Sequence, residues 1–152
     1  MFEKLKKTFT SAKPVPALPD GMSFFVAGIE YRRDNLAFLA TEQKKYTMPI
    51  DKIIEKGWTN KKLFRYYFTN EPVQLVAEPN NSHDPNAVKV LINNIFVGYI
   101  PKDSNELALK MLAAGYQNIT AKISGGDYKK INDSGQVATF SDPIEIKIQI
   151  KR

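Results

Sequence analysis

Between Val73 and Lys102 the chain reads VQLVAEPNNSHDPNAVKVLINNIFVGYIPK, and this stretch leaves few arrangements open to the rest. In Val73-Gln74-Leu75-Val76-Ala77 apolar side chains recur at every second position, which predicts a strand with one buried face. Glu78-Pro79 stops the ladder, because proline has no N–H to donate. Asn80 to Asn86 holds only turn-forming or polar residues, and Asp84-Pro85-Asn86-Ala87 has the preferences of a type I turn. Val88–Ile92 and Ile95–Ile100 then read as a hairpin around Asn93-Asn94, since asparagine tolerates the positive φ of a tight turn. Pro101 ends it. A polar loop pinned between rigid strands is the usual setting for a binding site.

The same residues carry a resemblance. The order Glu78-Pro-Asn-Asn-x-His-Asp-Pro-Asn-Ala-Val-x-Val, followed by Val97-Gly-Tyr-Ile-Pro-Lys, resembles the signature of the HIRAN domain family, as does Phe25-Val-Ala-Gly-Ile-x-Tyr31 upstream. The blocks fall in order over most of the chain from Ser23 onward. That family occurs on helicase-like DNA remodelling proteins and as stand-alone bacterial proteins. The resemblance implies an OB-like small β-barrel that binds single-stranded DNA at a free 3′ end.

A chain of 152 residues supports one domain with a proper core and length to spare for an arm. It has no cysteine and one histidine, His83, which excludes disulfides, thiolate catalysis and sulfur- or histidine-rich metal sites. No cofactor and no metal are expected. The N-terminus is charged and lacks a continuous apolar core, so it does not read as a secretory signal. No apolar run approaches bilayer length. The expectation is a soluble, cytoplasmic protein.

The net charge of +6 is unevenly placed. Residues 21–70 carry nine basic against five acidic side chains, whereas residues 71–100 carry one against three. Positive charge therefore flanks the polar loop. Attraction to phosphates would come from the flanks, leaving local, directional contacts to the loop.

Residues 1–20 read as a basic N-terminal arm with a proline-rich linker. Met1–Phe9 is expected to form about two helical turns, and the Lys13–Gly21 segment is a stiff connector. The arm reads either as a frayed terminus or as a basic handle for nucleic acid, a partner or a membrane surface. Residues 21–152 read as the HIRAN-like domain. Ser23–Tyr31 is expected to be its first strand, with Gly28 at a bulge or close approach. Residues 34–60 read as a helical insertion, with Asp34 and Thr47 as N-caps and Gly57 as a stop. Lys62–Phe68 reads as an aromatic-rich strand. Asp103 and Glu106 suggest a capping box for a short helix ending at Gly115. Asn118–Ser124 and Ile144–Ile150 read as closing strands, with Gly125–Lys130 as a loop between them. The predicted fold is mainly β with helices (α+β): an OB-like barrel of about six strands, one signature-region helix and the insertion.

His83 and Asp84 are adjacent and invite an acid–base reading, but no nucleophile motif or metal cluster accompanies them. From the residues alone, Asp84 caps its own turn while His83 packs on the loop. The resemblance implies instead that Asn81, His83 and Asp84 hold the terminal nucleotide, with Asp84 accepting a hydrogen bond from the 3′-hydroxyl and disfavouring a 3′-phosphate. Tyr31 is either a stacking platform for a base or a rim tyrosine with its hydroxyl in water. Tyr99 and Lys102 stand at family positions on the strand end, where Lys102 would contact a phosphate. Lys89 reads as a solvated strand residue. Arg32, Arg33, Tyr128 and Lys129, with Lys130, are secondary candidates for a basic patch. The expected function is a non-enzymatic nucleic-acid-binding module whose partner is single-stranded DNA, with a role in DNA repair or processing; RNA is an alternative ligand. A protein-interaction adaptor and a metal-dependent nuclease using His83 and Asp84 are the rival readings.

Overall fold

Apolar side chains at every second position of the C-terminal segment make an amphipathic strand, and pairing on both its sides builds the largest sheet. The computed structural model describes residues 17–152; the expected Met1–Phe9 helix and residues 13–16 of the proline-rich linker lie outside the described residues. Among these the elements run β1 (Gly21–Phe25), α1 (Arg33–Ala37), β2 (Ala40–Glu42), α2 (Lys44–Thr47), α3 (Ile50–Glu55), β3 (Leu63–Phe64), β4 (Tyr66–Phe68), β5 (Val73–Ala77), β6 (Val88–Ile92), β7 (Ile95–Tyr99), α4 (Asn105–Ala113), β8 (Asn118–Ile131) and β9 (Val137–Lys151).

The fold is mainly β with helices, and every ladder is antiparallel. One sheet has the order β1-β9-β8-β3, a second is β5-β6-β7, and β2 pairs with β4. The ladders do not close into a continuous ring. The first two sheets meet at the bridge Ala27–Tyr99, where each backbone N–H donates to the other residue's carbonyl at 2.8 and 2.9 Å. On β9, Ile146, Ile148 and Ile150 are fully buried while Glu145, Lys147 and Gln149 are exposed. Each such isoleucine contributes about 1.5–3 kcal/mol by leaving water. They share the main core with Phe24, Val88, Val90, Ile92, Val97 and Met111. A separate small cluster of Ile53, Leu63 and Ile131, with Met48 and Trp58 against it, joins the insertion to the far end of β8. Among the described residues no helix is long and apolar enough to cross a membrane.

Several expectations change. The first strand stops at Phe25; Gly28, at φ 81°, turns the chain into a single 3-10 turn, Ile29–Tyr31. The insertion contains a strand, β2, as well as helices, and Lys62–Phe68 is split into β3 and β4 at Arg65. Thr47 ends α2, and α3 begins after Pro49. Asp34 lies in the first turn of α1 and not at its cap. No capping box forms at α4: Ser104 holds the cap position, and Glu106 pairs with Lys110 at 3.4 Å. The largest change is at Gly125–Lys130, which is strand. Gly125 and Gly126, at φ 97° and 96°, form a register shift within β8, and pairing then continues to Ile131–Val137. The glycines mark a bulge inside a long hairpin.

Candidate nucleic-acid interface

Turn chemistry builds the polar loop between β5 and β6. Glu78 N–H donates to the Ala87 carbonyl at 2.8 Å and closes its base. Asn81 organises the middle: its Oδ1 accepts from the backbone N–H groups of His83 and Asp84 at 2.9 and 3.0 Å, and its Nδ2 donates to Glu78 Oε1 at 3.2 Å. Asp84 Oδ1 accepts from the Asn86 N–H at 2.9 Å, and Ala87 N–H donates to the Asp84 carbonyl at 3.1 Å, the expected turn. Asp84 Oδ2 accepts from Asn105 Nδ2 at 2.9 Å. Asn105 is buried, so this bond ties the loop to α4. A carboxylate has about four lone-pair sites; two are used here, and the side chain is partly exposed. His83 is exposed.

Beside the loop lies an aromatic and cationic surface on the outer face of β6 and β7. Register places Lys89 opposite Tyr99 and Leu91 opposite Phe96. Phe96 and Tyr99 meet edge-on with centroids 5.3 Å apart. The Arg32 guanidinium lies 4.3 Å from the Phe96 centroid and 5.6 Å from that of Tyr99. It reaches them because the turn at Gly28 redirects the chain; Arg32 Nη1 also donates to the Gly28 carbonyl at 3.3 Å. Asn35 Nδ2 donates to the Phe96 carbonyl at 2.9 Å and fastens α1 to β7. Lys89 Nζ sits 4.6 Å from the Phe96 centroid and 3.7 Å from Glu78 Oε2.

Electrostatics couple loop and surface. Partial burial pushes the Glu78 carboxyl up, but the facing Tyr99 hydroxyl, the Asn81 amide and the Lys89 charge outweigh it and hold the carboxyl below its ordinary value. Burial, then the facing Glu78, pushes the Tyr99 phenol above its own. The ionised Glu78 therefore stabilises the fold above the ordinary carboxyl value of 4.5, and that contribution is lost as pH falls through the depressed folded value. Glu78→Gln should flatten the acid limb of melting temperature against pH below about 4.5. Parallel acid limbs for variant and parent would show that Glu78 has no such role.

Among the sequence-predicted residues, Asn81, His83 and Asp84 share the loop, and Arg32 and Tyr99 meet beside it. Tyr31 stands next to Arg32 with its side chain 81% exposed. Lys102 is exposed in the turn before α4. Arg33 lies apart from the loop, on a cleft of about 680 Å3 that Leu36, Tyr66 and Ile144 also line. Tyr128 and Lys129 are elsewhere, on the β8–β9 hairpin: Tyr128 is buried between Phe64 and Phe140, and Lys129 reaches Tyr46. Sequence reasoning passed over Phe96, Glu78 and Asn105, and took Lys89 for a solvated residue. Phe96 had a signal: with Val97 buried by alternation, it is an aromatic side chain on the opposite strand face.

Comparison with known proteins gives two findings. The family model of the HIRAN domain matches residues 55–148, more than half of the chain; the match includes Asn81, His83, Asp84, Tyr99 and Lys102 and begins after Tyr31, Arg32 and Arg33. The crystal structure of the HIRAN domain of human HLTF aligns at 16% identity and a TM-score of 0.37, covering 87% of this chain and 77% of that one. No curated protein matches. On that sequence match, which spans the loop and hairpin just described, the chain belongs to the HIRAN domain family, a family of DNA-binding modules.

Proposed function

We propose that this chain is a nucleic-acid-binding module that holds single-stranded DNA at a free 3′-hydroxyl end. The observation that carries the reading is the junction of two chemistries: the hydrogen-bonded loop Glu78–Asn86 and the Arg32–Phe96–Tyr99 surface joined to it through Glu78 and Lys89. Aromatic faces suit bases of any sequence, and Arg32 and Lys89 supply positive charge beside them. The Asp84 carboxylate has acceptor capacity left for a terminal hydroxyl, and a terminal phosphate there would meet two negative groups, Asp84 and Glu78. Tyr31 and His83 offer exposed rings for the last bases, and Lys102 a charge for the backbone. In this reading residues 21–152 form the binding unit, residues 34–60 an insertion within it, and residues 1–20 a basic arm.

Tyr31→Ala and His83→Ala should each weaken binding of a short single strand by roughly 1–3 kcal/mol, the worth of one stacking platform. Lys102→Ala should weaken 3′-hydroxyl and 3′-phosphate strands by equal factors. Dissociation constants for the parent and these variants, at one fixed salt concentration, measure this. A parent protein that does not distinguish the two ends would end the 3′-hydroxyl reading, and tighter binding of the matching RNA strand would change the ligand.

A further inference from the structure

The insertion brings a second set of aromatic and basic side chains to one place. Gln43 locks it: its N–H donates to the Arg65 carbonyl at 2.8 Å and its Nε2 to the Tyr66 carbonyl at 3.2 Å. These bonds seat α2 beside the β3–β4 junction. The Tyr46 ring, on α2, then lies within reach of two cations from distant parts of the chain, the Arg65 guanidinium at 5.9 Å and Lys129 Nζ at 5.0 Å from its centroid. Arg65 is also 5.1 Å from the Tyr66 centroid. Lys44 and Lys45 precede Tyr46 in the same helix, and neither forms an ion pair among the described residues.

Charge favours a polyanion here. Residues 44–65 carry seven basic side chains against two acidic ones. Glu42, just outside that span, pairs with Arg65 at 3.1 Å. A cation over a ring keeps its charge, so the surface offers phosphate partners and π-faces together, the combination that tracks a single strand. A cleft runs from Tyr66, beside the patch, to the turn that carries Tyr31. Ile29, Glu30 and Arg33, on either side of Tyr31 and Arg32, line the same cleft as Tyr66. Glu30, Asp127 and Asp142 line that cleft too, so phosphates would follow its rim.

We propose that Lys44, Lys45, Tyr46, Arg65 and Lys129 form a second contact for single-stranded nucleic acid, one that takes internal nucleotides of a strand whose 3′ end lies in the loop. The proposal builds on the end-binding reading, but it is tested without ends. Closed circular single-stranded DNA has no terminus, so the share of its binding that is lost when these side chains are replaced reports this contact. The parent should bind circles. The triple variant Lys44→Ala, Lys45→Ala, Arg65→Ala should bind them about ten- to a hundredfold less tightly near 0.1 M salt, with a salt slope smaller by about 2, as expected for three lost phosphate contacts on a single strand. Its preference between 3′-hydroxyl and 3′-phosphate ends, measured on strands of roughly 6 nucleotides, should stay at the parent value. Lys44→Glu with Lys45→Glu, which breaks no ion pair, should weaken circles as well while leaving the melting curve in place.

A parent that ignores circles overturns the proposal, as does a charge-reversed double variant that binds them normally. If circles bind and depend on these lysines while the parent shows no end preference, the end reading fails and this contact stands.

Discussion

Replacing Gly98 by alanine is expected to destabilise the protein by about 2–4 kcal/mol and to lower its melting temperature by about 4–16 °C. A Cβ at Gly98 would run into the Ala27 carbonyl oxygen and come within 2.6 Å of Val26 Cγ1, and the backbone there has φ 151°, a conformation that costs a residue with a side chain further strain. The crowding falls on the Ala27–Tyr99 bridge, where the two larger sheets meet. Because Tyr99 is one half of that bridge and Arg32 lies against its ring, oligonucleotide binding should weaken together with stability. Gly57→Ala is the control: Gly57 has φ 72° but open space around the new methyl, so it should show backbone strain alone, about 1 kcal/mol. Indistinguishable melting of the two variants would mean that the bridge is looser than its hydrogen bonds indicate.

Asp84 should separate stability from recognition. Asp84→Ala removes the acceptor from the Asn105 amide, which is 4% exposed, and leaves that donor buried without a partner; the expected loss is about 1–3 kcal/mol. Asp84→Asn retains an oxygen for the Asn86 N–H, and rotation of the Asn105 amide restores the second bond, so stability should change little. The charge is gone, however. Discrimination of a 3′-hydroxyl from a 3′-phosphate should fall about tenfold or more, since a hydrogen bond to a charged acceptor is worth about 1.5–3 kcal/mol. Melting curves and paired dissociation constants for both variants give the two readouts. An Asp84→Asn protein with the parent's end ratio would confine the carboxylate to holding the turn and α4.

What the sequence disclosed was local, and what it hid was paired at long range. The hairpin turn at Asn93-Asn94 has both residues at positive φ, 50° and 64°, because the chemistry of those two side chains alone selects it. The Asp84 turn was legible for the same reason. Gly125-Gly126 was not: two glycines suit a loop or a bulge equally, and the choice is made by the pairing of Gly126 with Asp142 and of the residues after Gly126 with those before Asp142. Asn105 looked like an ordinary helix residue because its partner lies 21 positions earlier. The site was half visible. Asn81, His83 and Asp84 stand together in the sequence, but Arg32 meets Phe96 only after Gly28 turns the chain and Asn35 fastens it. The segment of Tyr128 and Lys129 was misread as a loop; as a strand it alternates faces and sends the two side chains to different neighbours.

The long β8–β9 hairpin sets a rule for how its length can change. Beyond the bulge, Ile131 points into the small cluster with Ile53 and Leu63, while the alternate positions Tyr128 and Lys130 face the other way. Gain or loss of one residue on a strand would exchange the two faces and take the isoleucine out of its cluster. Insertions and deletions between the bulge and the tip therefore preserve the packing only in steps of two residues per strand. Drift in this arm is quantised, while a change of one residue at its tip, Asn132–Gln136, leaves the register alone and disturbs only the turn in which Asn132 accepts from the Ser134 and Gln136 N–H groups.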